Sequence, residues 1–265
     1  GITIPVVTTL HGTDITLVGR EMTYEHVVSW SINQSDAVTA VSGDLRKQTY
    51  EHFKINRDID VIPNFIDFGR FNKKPREHFK QMIAPNGEKI IIHTSNFRKV
   101  KRIEDVIAVF AQIIKEIPAK LLLIGDGPER SHIEKVSREF NTCDWVTFLG
   151  KQEAIEEILS IGDLFILPSE SESFGLAALE AMACEVPVIS SNAGGIPEVN
   201  IHGVTGYLSN VGDVNDMAQN AITLLKDPQL LAKFRKNALQ QAHKFDLAEI
   251  LLQYEAIYNR VITTN

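Results

Sequence analysis

The chain has 265 residues, 44% of them hydrophobic and 23% charged, a globular composition long enough for roughly two domains. Its formal net charge of −7 removes any global attraction for nucleic acid or an anionic membrane, and no apolar run reaches the ~20 residues of a bilayer span. Two cysteines, Cys143 and Cys184, sit in no Cys/His pattern, which argues against a disulfide framework and a structural metal.

In chain order, short β-branched runs alternate with helical periods. The opening residues lack a basic segment and a cleavage signature, so they do not read as a signal peptide, and a reducing cytoplasm is the simplest compartment. Strands are expected at residues 4–9, 37–41, 59–62, 89–93, 120–124, 145–148, 164–167, 187–190 and 206–208. Helices are expected at 24–34, 43–53, 103–117, 129–140, 154–160, 176–183, 214–226, 228–243 and 248–261, with a short one near 78–82. This alternation predicts βαβ crossovers and parallel sheets. Ser42 reads as an N-cap, and Asp213 with Asp216 acidifies a helix start. The texture changes at residues 63–85, which read as an interdomain connection. The expected division is therefore a partial unit at 1–65, a doubly wound unit at 66–245, and a last helix at 246–265 returning to the first. Three strands and two helices cannot cover both faces of a parallel sheet, so the first unit is expected to be incomplete in this chain. Hinges are expected near 63–66 and 243–246.

The motifs that could carry chemistry follow strands. His11 closes the first strand beside Gly12, and either faces a cleft or is a satisfied structural histidine. Four cations, Arg98, Lys99, Lys101 and Arg102, stand in five positions after the fourth strand. They are either a solvated basic turn or fixed positive charge for a diphosphate, and open α/β sheets bind ligands at this edge. Gly125-Asp126-Gly127-Pro128 lacks the third glycine of a dinucleotide fingerprint, so a tight turn bordering a nucleotide pocket is preferred. Glu172 and Glu180 are eight positions apart, one in the loop after an apolar strand and one about a turn inside the next helix. Two acceptor-only side chains there suit a polyhydroxylated ligand, and the N–H groups near Gly175 and Leu176 suit its phosphate. An ordinary amphipathic helix is the rival reading. The paired glycines of Asn192-Ala193-Gly194-Gly195-Ile196-Pro197-Glu198 permit close backbone approach or a structural turn.

Taken in order, the E-x7-E segment, the basic loop, Gly-Asp-Gly-Pro and Gly-Gly-Ile-Pro-Glu-Val resemble the retaining, nucleotide-sugar-dependent glycosyltransferases of family four. That resemblance implies a GT-B architecture of two Rossmann-like domains. Segments 8–16, 95–102 and 180–184 are similar to the bacillithiol-pathway branch of the family, which implies transfer of N-acetylglucosamine from UDP-N-acetylglucosamine to L-malate. It further implies that Glu172 and the backbone of Ser173, Phe174 and Gly175 hold the donor sugar, that Leu176 N–H meets phosphate, and that Glu180 meets the ribose. Arg98 and Lys101 would neutralise the diphosphate in place of a metal, Gly125 would border the nucleotide, and His11 would face the sugar from the opposite domain. No cofactor is implied. Thr13, Tyr24 and Asn33 are candidates for the acceptor side. Two positions depart from the family pattern: Asn96 stands where Arg is usual, with Arg98 three residues before Lys101, and Glu185 stands where Gly is usual. The family's Gly-rich first loop has no counterpart. Other family-four transferases and a UDP-binding module without transferase activity therefore stay open, as do monomer and homo-oligomer. A GT-B sugar epimerase is disfavoured, since it has no need of the E-x7-E segment.

Overall fold

The computed structural model describes residues 4–12, 15 and 22–264. The first sheet contains β1 (Val7–Leu10), β2 (Ala37–Ala40) and β3 (Ile59–Val61), parallel and in that order. Helices α1 (Met22–Gln34) and α2 (Gly43–His52) join these strands. Ser42 caps α2, its Oγ accepting from the Leu45 N–H at 3.0 Å, which satisfies one of the donors a helix start leaves open.

After α3 (Glu77–Ile83), the second sheet is built from β4 (Lys89–Thr94), β5 (Ala119–Ile124), β6 (Val146–Gly150), β7 (Leu164–Leu167), β8 (Val188–Ser191) and β9 (Gly206–Ser209). All pairs are parallel, and the order is β6-β5-β4-β7-β8-β9. The crossovers are α4 (Ile103–Ile113), α5 (Arg130–Glu139), α6 (Ile155–Leu159), α7 (Leu176–Ala183) and α8 (Ile196–Val199). They are followed by α9 (Val214–Lys226), α10 (Pro228–Ala242) and α11 (Leu247–Thr264).

The strand sequences explain the layers. Ile90 and Ile92 face one side of β4 with Leu122, Phe165 and Val188, in the core that also takes α7 and α10. Ile91 faces the other side with Leu121, Leu123, Leu164 and Ile189, in the core that takes α4 and α9. A sheet covered on both faces requires such continuous apolar runs. The strand order reverses direction between β4 and β7. That switch point opens a crevice at the carboxyl ends of these two strands, where the basic loop and the Glu172 loop emerge.

The chain crosses between the sheets twice, and the crossings are joined. Ile66 N–H donates to Phe245 O at 2.8 Å and Leu247 N–H to Ile66 O at 3.0 Å. Phe68 stacks on His243 with ring centroids 4.2 Å apart. Beyond the second crossing, Ile250, Ile257 and Val261 of α11 pack with Ala37 of β2 and with Ile62, just after β3.

Several boundaries differ from the sequence reading. β1 occupies Val7–Leu10 rather than 4–9. α4 stops at Ile113 because the 114–117 segment turns back on itself, Glu116 and Ile117 both donating to Ile113 O. The single-turn α8 and a 3-10 turn at Lys99–Lys101 were not expected.

Candidate active site

The loop after β4 is shaped by its neighbours. Phe97 is fully buried at a positive φ of 32°, anchoring the middle of the loop in the core. Gly125 backs it: a Cβ there would sit 1.8 Å from Ser95 O, so only glycine permits this approach. The Gly-Asp-Gly turn thus supports the basic loop from behind, and Gly125 does not line the cleft described below. The four cations separate. Arg102, with φ 48°, grips the buried Asp105 at 2.6 and 3.2 Å. The Asp105 hydrogen bond raises the Arg102 pKa above its ordinary value. Lys101 reaches Glu172, and Arg98 and Lys99 face the cleft.

The loop after β7 meets this one directly. Glu170 N–H donates to Val100 O at 2.8 Å. Glu172 Oε2 accepts from Lys101 Nζ at 2.6 Å and from Ser169 Oγ at 3.4 Å. Behind Glu172 lies the Gly194-Gly195 turn: a Cβ on Gly194 would fall 2.0 Å from Glu172 O, and Gly195 N–H donates to that same oxygen at 2.9 Å. Gly175, with φ 97°, starts α7. Phe174 is a core side chain that meets Phe245 edge-on at 5.5 Å and lines neither of the two cavities described below.

Glu172 and Glu180 come together at a pocket of about 330 Å³, shared with Ser95, Asn96, Lys101 and Leu176. Burial pushes Glu180 up to about 7, Arg70 opposing the rise and Glu156 adding to it. Beneath the pocket, burial drives the His93 pKa down to about 4, so the ring is neutral near pH 7. Its Nδ1 must donate to the Ile166 carbonyl at 2.8 Å, which leaves Nε2 to accept from Ser95 Oγ at 2.9 Å. The Ser95 hydroxyl is thereby held in one orientation at the pocket floor.

The larger cleft, about 960 Å³, lies between the sheets. Its second-sheet wall carries Arg98, Lys99, Lys101, Glu170, Glu172 and Gly194, and its first-sheet wall is Gly12 with Gln48, Glu51 and His52 of α2. A Cβ on Gly12 would sit 2.5 Å from Ser173 Cβ, so the sheets touch here. His11 is exposed one residue away and does not line this cleft. Tyr24 is 52% exposed on α1 and does not reach it. Thr13 lies outside the described residues. Asn33 binds the 54–57 segment instead, its Nδ2 donating to Lys54 O at 2.9 Å.

Sequence reasoning missed the α2 wall, although Asp44, Gln48 and His52 recur every four residues and so share a helix face. It also missed His93, hidden in an apolar strand. Among the described residues no three His, Cys, Asp or Glu side chains cluster in a way that could hold a metal ion, and no helix is long and apolar enough to cross a membrane.

A doubly wound sheet with a cation-rich loop and paired acids at its switch point, facing a second parallel sheet across a cleft, defines a nucleotide-sugar transferase of the GT-B class. The comparisons with known proteins agree. The family model described as Glycosyl transferases group 1 matches residues 74–241, and that described as Glycosyltransferase Family 4 matches residues 2–70. The chain belongs to this glycosyltransferase family. It is 48% identical to the N-acetyl-alpha-D-glucosaminyl L-malate synthase of Bacillus anthracis, over 98% of this chain and 68% of that protein. Among solved structures, sucrose-phosphate synthase from Thermosynechococcus elongatus superposes with a TM-score of 0.86 at 26% identity, over 98% of this chain and 68% of that one. Anabaena HepE in complex with UDP superposes with a TM-score of 0.88 at 25% identity, over 97% of this chain and 72% of that one.

Proposed function

We propose that this protein is a retaining N-acetylglucosaminyltransferase that moves the sugar from UDP-N-acetylglucosamine to the hydroxyl of L-malate in the cytoplasm. The observation that carries the reading is the Lys101–Glu172 contact at 2.6 Å, which puts a phosphate-binding cation and a hydroxyl-binding acid side by side at the switch point. The 48% identical relative supports the choice of sugar and acceptor through its printed name, and the UDP-bound neighbour supports a uridine diphosphate donor.

In this reading Glu172, with the backbone of Ser173 to Gly175, accepts the donor sugar's hydroxyls, and Glu180 accepts the ribose hydroxyls. Arg98 and Lys101 take the diphosphate, which also meets the N–H groups at the start of α7. The bond between the anomeric carbon and the β-phosphate oxygen breaks, and UDP leaves with the electron pair. The malate hydroxyl oxygen attacks the same face, its proton passing to the departing phosphate oxygen. The fixed cations stabilise the charge that grows on the leaving group, commonly the dominant contribution to such catalysis. Residues 66–245 form the UDP-binding unit, and residues 1–65 with 246–265 form the acceptor side.

Incubating the protein with UDP-N-acetylglucosamine and a panel of hydroxy acids tests this, following UDP release and product mass. Release that depends on L-malate and yields the N-acetylglucosaminyl ester-free glycoside is expected. UDP binding with no hydroxy acid consumed would reduce the protein to a nucleotide-binding module.

A further inference from the structure

The Gly-Gly-Ile-Pro-Glu-Val segment does more than seat Glu172. Glu198, on α8 of the second sheet, sends its carboxylate across to the first. Its Oε2 accepts from Gly43 N–H and its Oε1 from Asp44 N–H, each at 3.0 Å. These N–H groups open α2 and have no carbonyl of their own helix to bond, and a carboxylate is favoured there by the helix dipole. Ser42 adds a second link, its hydroxyl donating to Ser173 O at 2.6 Å while accepting from Leu45 N–H.

These contacts close a ring. α8 follows directly on Gly194 and Gly195, which hold the Glu172 backbone. α2 carries Gln48 and His52, which face Arg98 across the cleft. One carboxylate therefore fixes the helix of one wall against the donor loop of the other. The contact is polar and water can replace it, so it can break and re-form with opening of the cleft.

We infer that Glu198 is a positioning residue that sets the separation of the two cleft walls. The inference rests on the transferase reading above. UDP is held by the second sheet alone, so loss of the Glu198 contact leaves its affinity unchanged. Transfer needs groups from both walls in register, so turnover falls.

The test compares Glu198→Ala and Glu198→Gln with the unsubstituted full-length protein. Calorimetry reads UDP affinity, steady-state kinetics reads kcat and the acceptor KM, and small-angle scattering with UDP bound reads the radius of gyration. Unchanged UDP affinity with kcat reduced about 100-fold in the alanine variant is expected, the scale of a misplacement near 1 Å. The glutamine variant, keeping one acceptor oxygen, should fall between, and the alanine variant should scatter as a more open molecule. Wild-type turnover in Glu198→Ala overturns the inference. So does a parallel loss of UDP affinity, turnover and melting temperature, which would mark a folding role. Should the unsubstituted protein bind UDP without transferring sugar, the transferase reading fails. The scattering comparison then still decides the role of Glu198: an alanine variant as compact as the parent sinks it.

Discussion

Glu180 is raised by burial from an ordinary value of 4.5 to about 7. Between those values the folded chain keeps a proton that the unfolded chain has released, so this group's contribution to stability falls as pH rises through that window. A ligand hydroxyl donating to Glu180 prefers the carboxylate. UDP affinity is therefore expected to increase from pH 6 to pH 8, and more steeply than in Glu180→Gln, which has no charge to gain and keeps in calorimetry only the slope that comes from the ligand's own terminal phosphate. Equal slopes for the two proteins would remove Glu180 from the ribose site. Lys101 carries a second prediction. Its ammonium lies 2.6 Å from Glu172 Oε2, both side chains largely buried, so removing it leaves Glu172 without its cation and, in the proposed site, takes a charged donor from the diphosphate. Lys101→Ala should weaken UDP binding by about 1.5–3 kcal/mol, the range for a hydrogen bond to a charged group. An unaltered dissociation constant would shift the phosphate contact to Arg98 and Lys99.

At the scale of elements, the donor loop holds its shape because other loops press on it without side chains in between. Gly194→Ala would place a Cβ 2.0 Å from Glu172 O, at a backbone φ of 56°. UDP binding should be lost in calorimetry while the far-ultraviolet circular dichroism stays native, because the clash is confined to the loop; retained binding would mean that the loop tolerates the shift. Glu185 is the opposite case. It turns the chain between α7 and β8 at φ 59°, a conformation that costs a residue with a Cβ roughly 1–2 kcal/mol. Its ion pair with Lys73 at 3.5 Å is about a third exposed and returns little. Glu185→Gly should thus leave the protein as stable or up to about 1 kcal/mol more stable, glycine's own entropy offsetting part of the gain, as read by denaturant titration. The strands and the Glu185 turn were legible in sequence because each follows from local chemistry: apolar β-branched runs, or a family glycine replaced. The basic cluster was legible only as charge, since proximity along the chain does not reveal that Asp105 claims Arg102 while Glu172 claims Lys101. The partnership of Glu198 with Gly43, 155 residues apart, leaves no trace in spacing at all.

Across the whole molecule, one apolar core runs through both sheets and their helices: Leu10 of β1, Val38 of β2 and Leu45 of α2 belong with Phe165 of β7, Phe174 of the loop that follows it and Met182 of α7. Phe245 joins that core at the second crossing, where its ring meets Phe174 and its carbonyl accepts from Ile66 N–H. Contacts beside the cleft are polar by comparison, those of Ser42 and Glu198 foremost. Water competes for polar contacts but not for apolar ones, so opening is expected on the cleft side, with the packed crossings as its pivot. A shared core also couples the sheets in unfolding. Calorimetry of the unsubstituted protein should show one cooperative transition, with calorimetric and van't Hoff enthalpies in agreement. Phe245→Ala removes the ring that joins the crossing to the donor loop and should cost about 3–5 kcal/mol. In that variant the transition should broaden or divide, and added UDP should raise only the part belonging to the second sheet, since binding stabilises only the unit that holds the ligand. Two resolved transitions in the unsubstituted protein would mean that the cores are independent and that the pivot lies elsewhere.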